Sequence, residues 1–234
     1  MLDLGSTEFH LAIPSVPETE LKRLSGKLFD SWEAYVDTAL SLRDYSLLLQ
    51  VEEGSVRGVA KIGAALGILY MGIGNYGDFI SGLKTIGEQV GATSEFVTEH
   101  ASTVFSCPDS KVTTRRRGGA IKALQHLFVK VQRGEISPEE ATARAETMLG
   151  EDAKSAPQFL QGLTEAFDSC PRHHQQQHLP FADELSVPSF EPLELPSKPK
   201  LPRPTPVLGP ALQLRVEVWR ESKKKRKHTR VVKL

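Results

Sequence analysis

Proline is concentrated in one stretch of this 234-residue chain, and that stretch divides the sequence into two unequal parts. Ten of the fifteen prolines lie between Pro171 and Pro210. Because proline lacks a backbone N–H and has a fixed φ, so dense a run cannot form a helix or a central strand. Extended polyproline II is its natural conformation. The sequence therefore predicts a disordered Pro-rich linker over residues 171–210, between a long folded body and a short C-terminal segment.

Charge is also divided unevenly, although the whole chain has 29 basic and 29 acidic residues. Residues 220–234 contain eight basic residues and a single acid, Glu221. The preceding chain has 21 basic and 28 acidic residues, a net charge of −7. A run of cations repels itself and favours polyanions such as DNA, RNA or anionic lipid. The tail, and not the body, is therefore the first place to look for a polyanion-binding surface.

The first 105 residues have the pattern of a β-α-β unit followed by further helices. Residues 9–13 alternate between apolar and polar or small side chains, which indicates a short strand. Ser15 and Glu18 have the spacing of a helix capping box. Apolar residues then recur every three or four positions, which predicts a long helix over about 16–42.

Two further strands are expected after this helix. Apolar residues alternate over 45–51, and the triplet Glu53-Gly54-Ser55 is typical of a hairpin turn. Residues 56–62 then return as the third strand. Beyond the hairpin, helical spacing resumes over 79–90, and residues 96–104 suggest one more helix.

The most apolar segment runs from Ile62 to Gly77, with no charged residue between Lys61 and Asp78. As one helix it would span roughly 24 Å at about 1.5 Å per residue, less than the roughly 30 Å of a bilayer core. A buried helix is therefore expected. The alternative is a membrane-associated protein that inserts residues 58–80, since the GxxxG pattern at 63–67 allows close helix contact in lipid.

Three glycines in this segment, Gly72, Gly74 and Gly77, match the GxGxxG pattern of dinucleotide-binding loops. That fold also requires a second buried strand ending in an acid roughly 20 residues further on. Residues 91–100 have instead the pattern of a polar helix, and Asp78 would place a negative charge beside the phosphates. We interpret the glycines as a helix kink or junction, and we expect no cofactor.

Residues 106–117 are expected to be a break, and a small helical unit is predicted over 115–170. An apolar stripe over 121–131 indicates its first helix, after which Gly134 can adopt a left-handed conformation. Ser137 followed by Pro138 is a strong start for the second helix, with Ser at the N-cap and Pro at the first helical position. Pro157 marks the start of a third helix.

Beyond the linker, residues 212–218 alternate between apolar and polar side chains, which predicts an amphipathic strand. Residues 227–234 can return as its partner, so that the basic run falls at the turn of a C-terminal basic β-hairpin. An isolated hairpin is marginally stable in water. The hairpin therefore needs a surface, which could be the N-terminal sheet, another subunit or a nucleic acid.

No motif supports a catalytic assignment. The chain lacks GxSxG, HExxH and phosphate-loop patterns. Cys107 could be a nucleophile with His100 or His126, but an incidental cysteine is the preferred interpretation. Several potential zinc ligands cluster at the start of the linker, without a second pair at standard spacing. They are Cys170, His173, His174 and His178. We expect no metal site, and an enzyme is the third hypothesis.

The basic segments are the stronger signal, and they give the candidate polyanion-binding residues. The first group opens the helical unit, and the second lies in the tail. The candidates are Arg115, Arg116, Arg117, Lys122, Lys223, Lys224, Lys225, Arg226, Lys227 and Arg230. No recognition helix is evident, so we expect non-specific contacts to backbone phosphates. Trp219 is the one aromatic residue near the tail's cations, which gives no support for a stacking platform.

Together these patterns predict an α+β, mainly helical protein. Its expected parts are an N-terminal β-α-β unit with helices over 1–105, the helical unit at 115–170, the linker at 171–210 and a basic β tail at 211–234. The leading functional hypothesis is a non-enzymatic interaction or accessory protein that contacts nucleic acid or an acidic partner. The two cysteines and the lack of a signal-peptide pattern favour the cytoplasm, with association to an anionic membrane as the alternative.

Overall fold

Six strands form a single antiparallel sheet that joins segments from both ends of the chain. The computed structural model describes residues 1–108, 111–171 and 214–234. The strand order across the sheet is β4-β1-β3-β2-β5-β6. The strands are β1 (Leu2–Leu11), β2 (Ser46–Glu52), β3 (Val56–Ala64), β4 (Val112–Arg117), β5 (Leu214–Arg220) and β6 (His228–Lys233).

Seven helices in the described ranges account for 53% of the described residues, against 24% in strands. The prediction of a mainly helical α+β protein with a C-terminal β-hairpin is therefore confirmed. The helices are α1 (Glu18–Ala39), α2 (Leu66–Gly74), α3 (Phe79–Val104), α4 (Gly119–Gln132), α5 (Pro138–Leu149), α6 (Glu151–Ser155) and α7 (Pro157–Asp168).

The described helices pack on one face of the sheet, and none of them packs on the other face, which we call the open face. Helix α1 packs against β2 and β5, while α3 and α4 pack against β1. Alternate residues of β2 and β3 are accordingly buried against the helices, and the residues between them are only half-buried or exposed. Such alternation is what an antiparallel sheet shows when one face packs on a core and the other faces solvent.

The surface that the C-terminal hairpin needs is the N-terminal sheet. Strand β5 pairs along β2, from Leu47 opposite Arg220 to Glu52 opposite Arg215, and β6 completes the edge. Val216 and Val218 are fully buried in the common core. Helix α4 packs on β1 and α3, so the 115–170 helices also share this core. All of the described residues belong to one compact unit. The predicted linker at 171–210 lies outside the described residues, except for Pro171.

Several local predictions are confirmed by the backbone. Gly54 occupies the β2–β3 turn with φ of 109°, and Gly134 follows α4 with φ of 69°, both in the left-handed region that favours glycine. Ser137 caps α5, because its hydroxyl accepts a hydrogen bond from the backbone N–H of Glu140 at 3.2 Å. Pro138 occupies the first turn of the helix.

Other local predictions are wrong. Pro17 occupies the N-cap of α1, and Ser15 hydrogen-bonds Glu53 across the structure at 2.7 Å, so there is no capping box with Glu18. The segment at 106–117 is not only a break, since 112–117 forms the edge strand β4. Its six residues show no apolar alternation because five of them are exposed. Residues 79–104 form one continuous helix and not two.

The apolar run at 62–77 is shared between two elements. Its first residues finish β3, and the next ones form the nine-residue helix α2, whose Leu66, Leu69 and Ile73 are buried in the core. The GxGxxG glycines lie at the junction of α2 and α3, where Gly77 has a φ of 87°. Within the described ranges, no helix is both long enough and apolar enough to span a bilayer.

Candidate nucleic-acid interface

The two basic segments lie at the same end of the sheet, although more than 100 residues separate them in the chain. Arg115, Arg116 and Arg117 form the last half of β4, which runs antiparallel to β1 and so ends beside the start of β1. Residues 223–227 form the turn between β5 and β6. Because β5 runs antiparallel to β2, this turn lies beside the start of β2, at the same end. We call this the cationic end.

One row of side chains crosses the open face near the cationic end and contains no acid. Pairing across each successive strand aligns its six residues, one from each strand. In order across the sheet, they are Arg117, Ser6, Lys61, Leu48, Trp219 and His228. At about 4.8 Å between strands, the row extends for about 24 Å. We call it the cationic row.

The next two rows are electrostatically mixed, and their acids are paired. Glu217 accepts hydrogen bonds from Arg230 at 2.6 Å and from Gln50 at 3.1 Å. Glu52 accepts a hydrogen bond from Arg215 at 2.5 Å. The cationic row differs from these two rows because none of its six residues is acidic, although its Arg117 pairs with Glu8 of the next row at 2.7 Å.

The cationic row also carries an aromatic pair. Trp219 and His228 are cross-strand partners, and their rings stack with centroids 5.4 Å apart and planes 23° from parallel. Leu48 lies opposite Trp219 on β2 and is half-buried. A stacking platform could not be predicted from the sequence, because Leu48 and His228 lie beside Trp219 only when the strands pair.

Part of the basic tail is already paired with acids of the body. Helix α1 presents Asp30, Glu33 and Asp37 along one face, at helical spacings of three and four. Lys227 pairs with Asp30, Arg220 pairs with Glu33, and Lys223 lies 2.9 Å from Asp37. We call these three pairs the α1 latch. The latch holds the β5–β6 turn against the body.

The latch continues into a hydrogen-bond cluster around Tyr45. The Tyr45 hydroxyl donates to Asp37, and the ammonium group of Lys223 lies 5.8 Å from the centre of the Tyr45 ring. Burial, together with the bond to Asp37, raises the pKa of Tyr45. Partial burial opposes ionisation of Asp37, but the hydrogen bonds from Tyr45 and Lys223 outweigh it and lower the Asp37 pKa. Asp44 accepts from the backbone N–H of Lys223 at 2.8 Å.

The candidate cations therefore divide into paired and unpaired groups. Besides the latch, Lys225 pairs with Glu221, Arg230 with Glu217, Arg117 with Glu8 and Arg116 with Glu95. Four cations of the sheet and of the β5–β6 turn near the cationic end have no ion pair with any residue that the structure describes. They are Arg115, Lys61, Lys224 and Arg226. Lys122 is exposed on the first turns of α4, beside Gly118, and it too has no ion pair with a described residue.

Sequence reasoning missed Lys61, which stands between the two basic segments. Lys61 is a single cation in an alternating strand, and nothing nearby in the sequence marks it as part of a site. Its place in the cationic row follows from strand register alone, because it lies opposite both Ser6 and Leu48. Register in turn depends on which face of β3 is buried.

The other sequence candidates do not assemble into a site. Cys107 is buried, and its thiol donates to the carbonyl of Pro108 at 3.6 Å. Cys170 is also buried, and burial raises the pKa of its thiol. His173, His174 and His178 lie outside the described residues. Among the residues that are described, no group of three or more His, Cys, Asp or Glu could hold a metal ion.

No family model, curated protein or solved structure matches this chain.

Proposed function

We propose that this protein binds nucleic acid without catalysing a reaction, and that the cationic end of the sheet is the contact surface. The observation that carries the proposal is the acid-free row that joins Arg117, Lys61 and the β5–β6 turn. The row carries two cations, Arg117 and Lys61, among its six residues. Its length of about 24 Å matches about seven base-pair steps of duplex, since each step rises about 3.4 Å.

The stacked rings in the row favour nucleic acid over an acidic protein partner. A carboxylate-bearing protein would need only the cations, whereas the half-buried Trp219 ring and the exposed His228 ring add flat surface in the same row. Aromatic faces beside cations suit bases that are linked to phosphates. Contacts to phosphates alone carry no sequence information, so we expect binding with little sequence preference.

The salt dependence of binding tests this proposal. Each phosphate neutralised on duplex DNA adds about −0.9 to the slope of log K against log salt concentration. The four unpaired cations at the cationic end would together give a slope of about −3.6. Lys61→Gln and Arg115→Gln should each make that slope less steep by about 0.9 and weaken binding to DNA.

Lys84→Gln is the matched control, since Lys84 is an exposed lysine on α3 whose nearest acid is Glu88 at 4.0 Å. This control should leave both the slope and the affinity unchanged. A wild-type protein that shows no salt-dependent binding to DNA or RNA would contradict the proposal. Binding to anionic vesicles or to a polyglutamate, with none to nucleic acid, would likewise replace it with a lipid surface or an acidic protein partner.

A further inference from the structure

A cavity of about 620 Å³ opens at the cationic end, directly beside Trp219. Its walls include Leu48, Trp219, Lys61 and Lys225, and its lining also includes Gly63 and Ser46. We propose that this cavity receives an unpaired base of a single-stranded nucleic acid, stacked on the Trp219 ring. This inference rests on the proposed function and specifies which form of nucleic acid is preferred.

The cavity exists because the residues at its floor are small. Gly63 of β3 lies opposite Ser46 of β2 and Asp3 of β1, so no large side chain rises from this part of the sheet. A Cβ atom at Gly63 would stand 2.8 Å from the Ser46 hydroxyl oxygen and 3.5 Å from Cγ of Met1. Glycine therefore keeps open a space that any other residue would narrow.

The walls of the cavity combine an apolar surface with a cation. Leu48 and Trp219 face each other across β2 and β5 and supply the apolar surface. Lys61 neighbours Leu48 on the other side and has no ion pair among the described residues. A base that stacks on Trp219 would thus place its own phosphate within reach of an available ammonium group.

The acids around the cavity favour a base inside it and a phosphate outside. Asp3 is exposed and lines the cavity, and Glu221 at the far side is engaged by Lys225 at 2.6 Å. A carboxylate repels a phosphate, but it can accept a hydrogen bond from an N–H group of a base, such as the amino group of cytosine or the imide N–H of thymine. A free inorganic polyanion would therefore gain little from entering.

An unpaired base is required because bases in a duplex are stacked on one another and hydrogen-bonded to their partners. Only a strand with accessible bases can place one against a protein aromatic ring. The cavity therefore predicts that single strands bind more tightly than a duplex of the same sequence, whereas the cations alone predict no such preference.

Tryptophan fluorescence can report this contact directly. The chain has two tryptophans, and Trp32 is only 1% exposed within the core. Quenching by short oligo(dT) would therefore come from Trp219. Heparin serves as a polyanion without bases, and we expect it to bind with little quenching.

Two variants separate stacking from charge. Trp219→Ala should weaken oligo(dT) binding roughly 5- to 150-fold, the range for loss of one base stack, and should change heparin binding little. Trp219→Phe keeps a ring and should restore much of the affinity. Gly63→Leu retains Trp219 but fills the cavity, and it should also lose the preference for single strands. Circular dichroism checks that each variant is folded.

The outcomes distinguish this inference from the function on which it rests. If the wild type binds heparin and duplex DNA with a steep salt slope, but shows neither quenching nor single-strand preference, the cavity proposal is overturned and the proposed function stands. Equal loss of oligo(dT) and heparin binding in folded Trp219→Ala would also overturn it. A wild type that binds no polyanion overturns both.

Discussion

Replacing Glu33 by Gln should make the protein less stable and, at the same time, a better polyanion binder. Glu33 accepts a hydrogen bond from Arg220 within the α1 latch, and Arg220 also donates to the carbonyl of Lys225 at 2.6 Å. The substitution keeps the size of the side chain and removes its charge. Arg220 then loses its counter-charge but keeps its bond to the turn.

The expected loss of stability lies between two known limits. An exposed ion pair contributes about 0–1 kcal/mol, and removing one partner of a buried pair costs about 3–5 kcal/mol. The side chains of Arg220 and Glu33 are 24% and 17% exposed, which places this pair between the limits. We therefore expect Glu33→Gln to lower the free energy of unfolding by about 1–3 kcal/mol.

The affinity of Glu33→Gln for DNA should increase, although its stability decreases. Glu33 lies within a stripe of acids that repels phosphates and engages three cations of the tail. Removing the charge of Glu33 reduces the repulsion of phosphates and makes Arg220 available to them. DNA should therefore bind more tightly at low salt. The gain in affinity should become smaller at higher salt, because ions screen these interactions.

Urea unfolding followed by tryptophan fluorescence measures the stability, since Trp32 adjoins Glu33 and Trp219 adjoins Arg220. Glu88→Gln is the control, because Glu88 is 67% exposed and its pair with Lys84 spans 4.0 Å. This control should leave the urea midpoint unchanged. The latch would be refuted if both variants unfolded at the wild-type midpoint, or if Glu33→Gln weakened DNA binding.

Three further predictions concern the scaffold. Ser137→Ala removes the cap of α5 and should cost about 1 kcal/mol in urea unfolding, within the usual range for such caps; an unchanged midpoint would mean that the cap contributes nothing. Gly58→Ala should be strongly destabilising, because the new Cβ atom would stand 1.9 Å from the buried Phe9 ring. Gly26→Ala in α1 is the control: its Cβ atom would have no neighbouring atom within 4 Å, so this substitution should be neutral or stabilising. Folding lowers the pKa of Asp37, so the ionised side chain stabilises the folded state at neutral pH, and this stabilisation is lost as acid protonates the carboxylate. The difference in the free energy of unfolding between wild type and Asp37→Asn should therefore become smaller at low pH. A difference that stays constant with pH would contradict the assignment.

Local structure was largely predictable from the sequence because local chemistry determines it. The Ser137 cap, the glycines at 54 and 134, and the alternation along β2, β3 and β5 each reflect an interaction between near neighbours in the chain. Strand β4 was not predicted because it is an edge strand with five exposed residues. Without buried alternate positions, its sequence has no alternation of apolar and polar residues. The Ser, Thr, Pro and Asp residues of 106–117 favour a break, and pairing with β1 overrides that preference over 112–117.

The candidate site was predictable only in part, for a different reason. The basic runs are visible as composition, but their convergence depends on strand order and register, which no short segment encodes. The ion pairs of the α1 latch likewise depend on strand order and register. Asp30, Glu33 and Asp37 are ordinary solvent-facing acids until β5 places Arg220 and the basic turn against them. The available cations are therefore fewer than the sequence alone implies.

Because the hairpin is part of the sheet, its binding role has to be tested by substitution and not by truncation. Removing residues 212–234 would expose the whole length of β2 as an edge and would take Val216 and Val218 out of the core. A long apolar strand left unpaired at a sheet edge promotes aggregation. We expect the truncated chain to aggregate or to lose cooperative unfolding, which size-exclusion chromatography and urea titration would show. A truncated protein that stayed monomeric and unfolded at the wild-type midpoint would instead mean that β5 adds little to the fold and that the tail is an appendage.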